Sequence, residues 1–489
     1  MIPFKALIII DKTVATPLYL QIANSIIQNI RQGHLRRGLK LPGARVLAAE
    51  LNVHRKTLQM ALDELLAQGW LEIEARKGTF VAKALPEMKA VKFGSSQSPL
   101  VYPEKAGFQI RKVNFRSYSF TNFQTDKNLI ITEGFPDIRL APIQELMREM
   151  RSIERIKSFR KYFHYGNPQG TAYLREPLSS FLNETRGLPI SPENIIITNG
   201  AQMGLYLTAN LLLTKGDHVV VGEPGYFTAT LTLERAGGVI NRVKVDENGI
   251  DVDAIEAICK KKRIRLVYVI PHHHLPTTVT LTPERRMRLL NLAAKYKFAI
   301  IEDDYDYDFH YDSSPMLPMA SLDTHGNVIY IGTLTKTLVP AIRIGFVVAP
   351  RNFIEEVTQM RRSIEFQGDT LMEISIAGLY KNGVIANHIK KSVRIYRERR
   401  DNFCNLLQNK LEDLVSFQIP EGGMCVWVRF NEGNLPVIAA SAYKKGLTMS
   451  DGSSYNEKVN YNATRMGFSS LNLNEQEKAV DILKSAMSS

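Results

Sequence analysis

Short apolar runs alternate with helical patterns through the central part of this 489-residue chain. The runs are strand-like in length, and the pattern over 283–296 is typical of an amphipathic helix between two of them. Such alternation favours a mostly parallel sheet covered by helices, because parallel strands need long crossover connections. The six strand-like runs are 195–198, 218–221, 266–270, 299–301, 328–331 and 345–348.

The rest of the chain divides around this α/β segment. Its length predicts two or three domains. Residues 84–127 contain prolines, the run Gly94-Ser95-Ser96 and no sustained period, and we interpret them as a linker. We therefore expect an N-terminal domain over 1–83 and a second domain over 128–489, with a small α+β subdomain from about residue 353.

Composition narrows the class of protein. Hydrophobic residues make up 44% and charged residues 23%, which is typical of a globular chain. Three cysteines without a CxxC pair predict a cytoplasmic location and no structural zinc. The early apolar run 7–10 is far shorter than the ~20 residues of a membrane helix. We expect neither secretion nor a membrane partner.

The net charge of +13 is unevenly distributed, since residues 1–85 carry 12 Lys/Arg against 6 Asp/Glu. Helical patterns over 17–33, 45–51 and 54–68 precede two strand-like segments, 70–74 and 79–82. On the second helix we expect Val46, Leu47 and Leu51 to face inward.

Basic and hydroxyl side chains begin the third helix, and the turn between the two strand-like segments is also basic. This order predicts a winged helix-turn-helix whose recognition helix enters the major groove of double-stranded DNA. The alternative is that these are solvated charges on an exposed helix. The candidate DNA-binding residues are Arg45, His54, Arg55, Lys56, Thr57, Arg76, Lys77 and Gly78.

Motifs over about 13–83 resemble the GntR-type winged helix. They are PLYLQI at 17–22, GHLRRG at 33–38, LPGARVLA at 41–48 and GTFV at 78–81. Two positions depart from that family: Gly43 stands where serine is usual, and Val53-His54-Arg55-Lys56 replaces the usual Val-Ser-Arg. The loss of two hydroxyls bears on phosphate contacts or operator sequence.

Chemically useful side chains follow the strand-like runs of the second domain. Lys336 follows 328–331, Asp303 follows 299–301, and Arg343 can bind phosphate oxygens with two parallel N–H groups. A Schiff-base lysine, an acid beside a pyridine nitrogen and phosphate donors are what pyridoxal 5′-phosphate (PLP) requires. Tyr305 could donate to the phenolic oxygen of the ring, and Tyr226 could stack on it.

This order of residues resembles the fold type I aminotransferases, and in particular the MocR/GabR group of regulators. Further matching motifs are GFPD at 134–137, YGNPQG at 165–170 and TRMGF at 464–468. The resemblance implies a three-layer α/β PLP-dependent transferase-like domain with a small C-terminal α+β subdomain. It implies a phosphate site made of Gly200, Ala201, Gln202, Thr333, Thr335 and Arg343.

The same resemblance assigns the remaining roles. Lys336 would carry PLP as a Schiff base, Asp303 would pair with the pyridinium, and Arg465 would bind the carboxylate of an amino-acid effector or substrate. Tyr165 would reach in from the partner subunit of a head-to-tail, domain-swapped homodimer. His273 is expected near the ring oxygen.

The segment PHHHLPTT at 271–278 departs from the more usual Ser-His-Gln and final Gly of that group. Thr278 therefore stands in a turn where glycine is usual. Three adjacent histidines, His272 to His274, invite a metal hypothesis, but neighbouring residues on an extended segment point to opposite faces. We expect no metal.

Two functions remain open. The first is a transcriptional regulator that senses an amine, an amino acid or PLP itself through the Lys336 aldimine. The second is a catalytically active aminotransferase with an accessory DNA-binding domain, since Lys336, Asp303 and Arg465 are all present. A recognition helix and a basic wing have no use in transamination, which favours the regulator and leaves residual aminotransferase activity open.

Overall fold

A computed structural model describes residues 3–14, 16–86, 104–110, 128–157, 159–311, 316–455 and 459–488. The chain divides into two compact units, Met1–Val113 and Asn114–Ser489. Most of the expected linker, 84–127, lies outside the described residues, so its bounds stay a prediction. No helix in the described ranges is both long enough and apolar enough to cross a membrane.

The N-terminal unit contains the three helices and the hairpin that the sequence predicts. Its core includes Ile22, Ile26, Leu58 and Leu65, and an additional N-terminal helical turn contributes Phe4. The elements are α1 (Phe4–Leu7), α2 (Leu18–Arg31), α3 (Ala44–Glu50), α4 (Arg55–Ala67), β1 (Leu71–Glu74) and β2 (Gly78–Val81).

One expectation for this unit is wrong: Val46 is 63% exposed. The buried residues of α3 are Leu47 and Ala48, and Leu51, just after the helix, belongs to the same core. Successive residues lie about 100° apart around a helix, so Val46 falls outside the face that Leu47, Ala48 and Leu51 share. The short helix buries a narrower stripe than its composition suggests.

The C-terminal unit alternates strands and helices up to residue 365 and is richer in helix beyond it. Its strands are β3 (Leu129–Ile130), β4 (Ile195–Thr198), β5 (His218–Glu223), β6 (Val239–Asp246), β7 (Gly249–Ile250), β8 (Ile264–Val269), β9 (Ala299–Asp304), β10 (Val328–Thr333), β11 (Gly345–Val348), β12 (Val415–Phe417), β13 (Cys425–Phe430), β14 (Leu447–Thr448) and β15 (Ala463–Gly467).

The helices of this unit cover both faces of the main sheet or belong to the smaller part. They are α5 (Ile143–Ser152), α6 (Ala172–Arg186), α7 (Ala201–Leu212), α8 (Phe227–Arg235), α9 (Val252–Cys259), α10 (Pro283–Tyr296), α11 (Arg351–Glu365), α12 (Thr370–Lys381), α13 (Val384–Leu411), α14 (Leu435–Lys444) and α15 (Leu473–Met487).

Among the described residues, the main sheet has eight strands in the order β4-β11-β10-β9-β8-β5-β6-β7. Neighbours from β10 to β6 run parallel, which confirms the mostly parallel sheet. β11 is antiparallel to both β10 and β4. The connection 334–344 between β10 and β11 is too short for a helical crossover, so β11 must return in the opposite direction. That connection carries Lys336 and Arg343.

Alternate side chains of the central strands enter different cores, which produces the three-layer architecture. Ile331 and Val347 pack on the side of α7 and α11, whereas Tyr330, Phe346 and Val348 pack on the side of α6 and α12. Both faces of the sheet are therefore dry, and its functional groups lie at strand ends.

The smaller subdomain has an antiparallel sheet in the order β12-β13-β15. Its core joins α13, α14 and α15 with Ile131, near the start of the unit. α11 and α12 pack instead on the cores of the main sheet. The subdomain therefore begins near α13, later than the expected residue 353, because the two preceding helices bury their apolar faces against the larger part. β3 pairs in parallel with β14.

Candidate cofactor and effector site

Lys336 lies on the β10–β11 connection, at the carboxyl end of β10. Its ammonium Nζ donates to the carbonyl of Gly134 and lies 4.0 Å from the centroid of the Phe135 ring. Burial and the nearby Arg465 cation lower the pKa of Lys336 to about 8. A substantial fraction of this amine is therefore neutral near physiological pH, which is the form that attacks a carbonyl.

Asp303 is the next-to-last residue of β9 and is buried, with 6% of its surface exposed. The hydroxyl of Tyr268 donates to its Oδ2 at 2.6 Å, while the buried Oδ1 has no partner among the described residues. Burial raises the pKa of Asp303 to about 7, although the Tyr268 hydrogen bond opposes this shift. A buried carboxylate oxygen without a partner suits a protonated ring nitrogen.

Tyr305 and Arg465 meet in front of this strand end. Both terminal nitrogens of Arg465 donate to the Tyr305 hydroxyl at 3.2 Å, and that hydroxyl donates to the backbone oxygen of His273 at 2.8 Å. Arg465 is 2% exposed, and its Nε lacks a partner in the described part of the chain. No described carboxylate pairs with this guanidinium. Arg465 can thus take the carboxylate of a small molecule.

The expected phosphate site lies between the start of α7 and the β10–β11 connection. Gly200 has φ +83°, and a Cβ at this position would lie 2.6 Å from Nη2 of Arg343. That guanidinium donates to the backbone oxygen of Asn199 at 2.9 Å. The N–H groups at the start of α7 have no acceptors within the helix, which makes them anion donors.

Of the other expected phosphate donors, the two threonines lie near Arg343, whereas the Gln202 side chain has a different partner. Thr333 ends β10, and its hydroxyl donates at 3.0 Å to that of Thr335, which lies on the connection that also carries Arg343. The Gln202 side chain donates instead to Thr232 at 2.7 Å. What Ala201 and Gln202 can present to an anion is therefore their backbone N–H groups at the helix start, not a side chain.

The three consecutive histidines have three separate partners. The Nδ1 atoms of His272, His273 and His274 lie 3.3 Å from Asp304, 2.7 Å from Asp306 and 2.9 Å from Thr277, respectively. Among the described residues, no group of three His, Cys, Asp or Glu could hold a metal ion.

His273 reaches the site through its backbone rather than its ring. Its carbonyl accepts from Tyr305, whereas its Nε2 would lie 2.3 Å from a Cβ built on Gly422. Thr278, in the turn that follows, has φ +64°, a left-handed conformation that is costly for a β-branched residue. The departure from glycine is therefore accommodated with backbone strain.

The two remaining aromatic candidates differ in exposure. Tyr226 immediately precedes α8, and its pKa is raised chiefly by burial and also by the nearby carboxylates of Asp303 and Glu133. Tyr165 is 85% exposed, with its ring 5.7 Å from that of Phe366. Its expected place in a partner's site stays a prediction.

Three contributors to the site were missed from sequence: Glu133, the carbonyl of Gly134, and Tyr268. Glu133 precedes the GFPD motif and Gly134 begins it, so the motif signals the region without showing that it touches Lys336. Tyr268 lies in the run 266–270, and β8 pairs with β9 so that Tyr268 is opposite Ile301. This register places it two residues along the sheet edge from Asp303, a relationship that strand pairing alone could reveal.

The candidate DNA-binding residues lie on the surface of the N-terminal unit. Arg55 and Lys56 are exposed on the first turn of α4, and the His54 side chain accepts a hydrogen bond from the Lys56 backbone N–H at 3.2 Å. Arg45 is exposed on α3, and Thr57 is half-buried. Arg76, Lys77 and Gly78 are exposed at the hairpin turn, where the Lys77 ammonium lies 3.2 Å from Glu74.

These observations fit PLP on three counts: the amine of Lys336, the unpartnered oxygen of Asp303, and the glycine cradle beside Arg343. When bound, PLP supplies a carbonyl that reacts with amines and a ring that withdraws electrons from them. Lys336 would hold its carbonyl carbon, Asp303 its ring nitrogen and Arg343 its phosphate. The fold and the site thus define a PLP-dependent protein of fold type I.

The chain belongs to the aminotransferase class I and II family, whose model matches residues 133–483. Residues 18–81 match the bacterial regulatory proteins of the gntR family. These matches confirm the two-part organisation inferred from the motifs, and the family indicates PLP as the cofactor.

Three relatives match this chain over most of their own length. An uncharacterized HTH-type transcriptional regulator of Bacillus subtilis, YdfD, is 28% identical over 472 residues, which span 95% of each chain. The probable rhizopine catabolism regulatory protein MocR of Rhizobium meliloti is 28% identical over 87% of this chain and 84% of its own. Kynurenine aminotransferase of Pyrococcus horikoshii, solved with PMP, superposes with a TM-score of 0.69 at 27% identity, covering 75% of this chain and 92% of its own.

Proposed function

We propose that this chain is a PLP-dependent transcriptional regulator, which binds operator DNA through its winged helix and senses an amine or amino acid at Lys336. The observation that carries the proposal is a single chain with an exposed basic recognition helix and a buried guanidinium, Arg465, that no described carboxylate neutralises. The recognition helix can bind DNA phosphates, and the guanidinium can bind a small anionic ligand.

Effector binding would change the contacts of two residues. The amine of the effector takes the place of the Lys336 amine, and Nζ then hydrogen bonds the Gly134 carbonyl, as it does in this structure. Arg465 exchanges the Tyr305 hydroxyl for the effector carboxylate. Such a ligand alters DNA binding only if it binds one arrangement of the protein better than another.

The regulator is further proposed to act as a head-to-tail homodimer. Two winged helices in a symmetric dimer would address two operator half-sites. The exposed rings of Tyr165 and Phe366 support a second copy at this face, since these residues are 85% and 63% exposed. Tyr165 would then reach the cofactor of the partner.

The rival function is a working aminotransferase, and a pair of assays separates the two. Purified PLP-loaded protein is tested for operator binding at physiological salt and for amino-group turnover with keto acids. We expect specific DNA binding that Arg55→Ala weakens and that an effector alters only when Lys336 is intact. Turnover at enzyme-like rates without specific DNA binding overturns the regulator.

The cofactor part of the proposal has its own test. The PLP-loaded protein should absorb in the visible range, and Lys336→Ala should abolish this band while leaving the circular dichroism spectrum unchanged. A Lys391→Ala variant, at an exposed position on α13, is the matched control and should keep the band. Protein that shows no band with excess PLP contradicts the assignment of Lys336.

A further inference from the structure

Glu133 immediately precedes Gly134, whose backbone contacts the candidate effector site. The Gly134 carbonyl accepts the hydrogen bond from Lys336, and a Cβ on Gly134 would lie 3.3 Å from Nη2 of Arg465. The backbone at 133–134 is therefore wedged between the two residues that would hold the amine and the carboxylate of an effector. A carboxylate side chain at this point is close to whatever those residues bind.

The Glu133 carboxylate is held in place from one side. The Tyr455 hydroxyl donates to its Oε1 at 2.8 Å. Tyr455 is 4% exposed, and the Trp427 ring packs against it edge-on with the ring centroids 5.2 Å apart. A buried, packed tyrosine fixes the carboxylate with less entropy to lose than a free surface glutamate would have.

The Glu133 carboxylate also has no basic partner among the described residues. Glu133 is half-buried, and no described lysine, arginine or histidine forms an ion pair with it. Its field nevertheless extends into the site, because it raises the pKa values of both Lys336 and Tyr226, opposing burial at the first and adding to it at the second. The site thus presents an anion and a cation, Glu133 and Arg465, around one reactive lysine.

We propose that Glu133 selects an effector with a second cationic group, an α,ω-diamino acid. Its carboxylate binds Arg465, its α-amine replaces the Lys336 amine, and its distal ammonium binds Glu133. This inference rests on the proposed function, since it names the class of ligand that the same site senses. A neutral side chain of equal length would leave the half-buried carboxylate with one hydrogen bond and no countercharge.

The test compares matched ligands on the PLP-loaded full-length protein. L-Ornithine and L-norleucine have side chains of equal length that end in an ammonium and a methyl group, respectively. L-2,4-Diaminobutyrate and L-norvaline form a second, shorter pair. Titration followed by the visible spectrum of the cofactor gives the dissociation constant of each ligand, with no need for turnover.

We expect the wild-type protein to prefer the diamino acid of at least one pair by about tenfold or more, because a charge-assisted hydrogen bond is formed only with that ligand. Glu133→Gln should reduce this preference about tenfold, because it weakens the binding of the diamino acid and leaves the binding of the neutral amino acid unchanged. Tyr455→Phe, which frees the carboxylate, should reduce it less. Glu284→Gln, at an exposed site on α10, is the charge-matched control and should leave the preference unchanged.

The outcomes separate the inference from the function on which it rests. Equal binding of both members of each pair overturns the diamino-acid class but leaves sensing intact. An equal loss for both members in Glu133→Gln also overturns it, because Glu133 then acts on the shared α-amine or on the fold. A cofactor spectrum that no amine or amino acid alters overturns the sensing function itself.

Discussion

The Tyr268 hydroxyl lies 2.6 Å from Oδ2 of Asp303, and the second carboxylate oxygen is buried without a partner in the part of the chain that the structure describes. One oxygen is fixed by the protein, and the other is available to the protonated ring nitrogen that we propose as its partner. The tyrosine thus orients the carboxylate before the cofactor arrives, so that little reorganisation accompanies binding.

The titration of Asp303 should be visible in the stability of the cofactor-free protein. Its folded-state pKa of about 7 exceeds the ordinary value of 3.8, so the folded protein retains a proton that the unfolded chain releases. Asp303 therefore destabilises the folded protein least below about pH 4. Its unfavourable contribution to the free energy of unfolding grows as pH rises towards 7. Asp303→Asn should remove a loss of up to about 4 kcal/mol over this range.

Urea unfolding of the apo protein at pH 5 and pH 8 measures this effect. The wild type should lose more of its unfolding free energy between these two pH values than the Asn variant does. Parallel pH dependence of the two proteins would contradict a raised pKa at Asp303. The Asn variant should also bind PLP more weakly, because a neutral amide attracts the ring proton less.

Gly200→Ala should weaken the binding of the PLP phosphate without unfolding the protein. The added Cβ would lie 2.6 Å from Nη2 of Arg343, so the flexible guanidinium must move away from the helix start. We expect PLP affinity to fall about tenfold or more, in line with the loss of a charge-assisted hydrogen bond. Affinity for pyridoxal, which has no phosphate, should change little.

Gly216→Ala is the matched control for the backbone. Gly216 has φ +100°, and a Cβ there would meet nothing within 4 Å, so this variant carries conformational strain alone. It should lose some stability and keep its PLP affinity. Equal losses of affinity in the two variants would show that strain, rather than displacement of Arg343, is responsible.

Thr278→Gly should stabilise the C-terminal unit. A β-branched residue at φ +64° stores strain that glycine avoids, and we expect a gain of about 1 kcal/mol in unfolding free energy. Thr278→Ala, which removes the branch but keeps Cβ, should lie between the two. Urea denaturation of the three proteins measures the order, and a destabilised glycine variant would mean that the threonine contacts outweigh the strain.

The salt dependence of DNA binding should distinguish the two basic side chains of the hairpin turn. Each phosphate contact that is lost reduces the slope of log K against log salt by about 0.9. Arg76→Ala should approach this value, whereas Lys77→Ala should change the slope less, because Glu74 lies 3.2 Å from the Lys77 ammonium. Fluorescence anisotropy at several salt concentrations gives the slopes, with Lys391→Ala as the control; equal changes would contradict the role of Glu74.

The incorporation of PLP into apo protein should rise with pH with a midpoint near 8, the pKa of Lys336, because only the neutral amine reacts. Arg465→Met removes a neighbouring cation and should move the midpoint up. Glu133→Gln removes an anion and should move it down by a smaller amount. Stopped-flow absorbance follows the reaction, and a midpoint that neither variant moves would show that these charges do not act on the lysine.

The positions of Lys336 and Asp303 could be predicted because the carboxyl ends of neighbouring parallel strands share one edge of a sheet. Arg343 lies on the same short connection as Lys336. The exposure of Val46 and the role of Tyr268 could not be predicted. Val46 depends on how a seven-residue helix is rotated against its neighbours, and Tyr268 on which strand pairs with β9. Both are tertiary relationships that a local hydrophobic pattern does not encode.

The pairing of β3 with β14 joins Leu129 to Leu447, near opposite ends of the C-terminal unit. Glu133 follows the first strand, and Arg465 lies on β15, beyond the second. During synthesis, the N-terminal unit can complete its own core early, whereas the effector site must wait until almost the whole chain has left the ribosome. A prematurely terminated chain would therefore keep the DNA-binding unit and lack a complete effector site. Truncation near the C-terminus would thus abolish the response to an effector before it abolishes DNA binding.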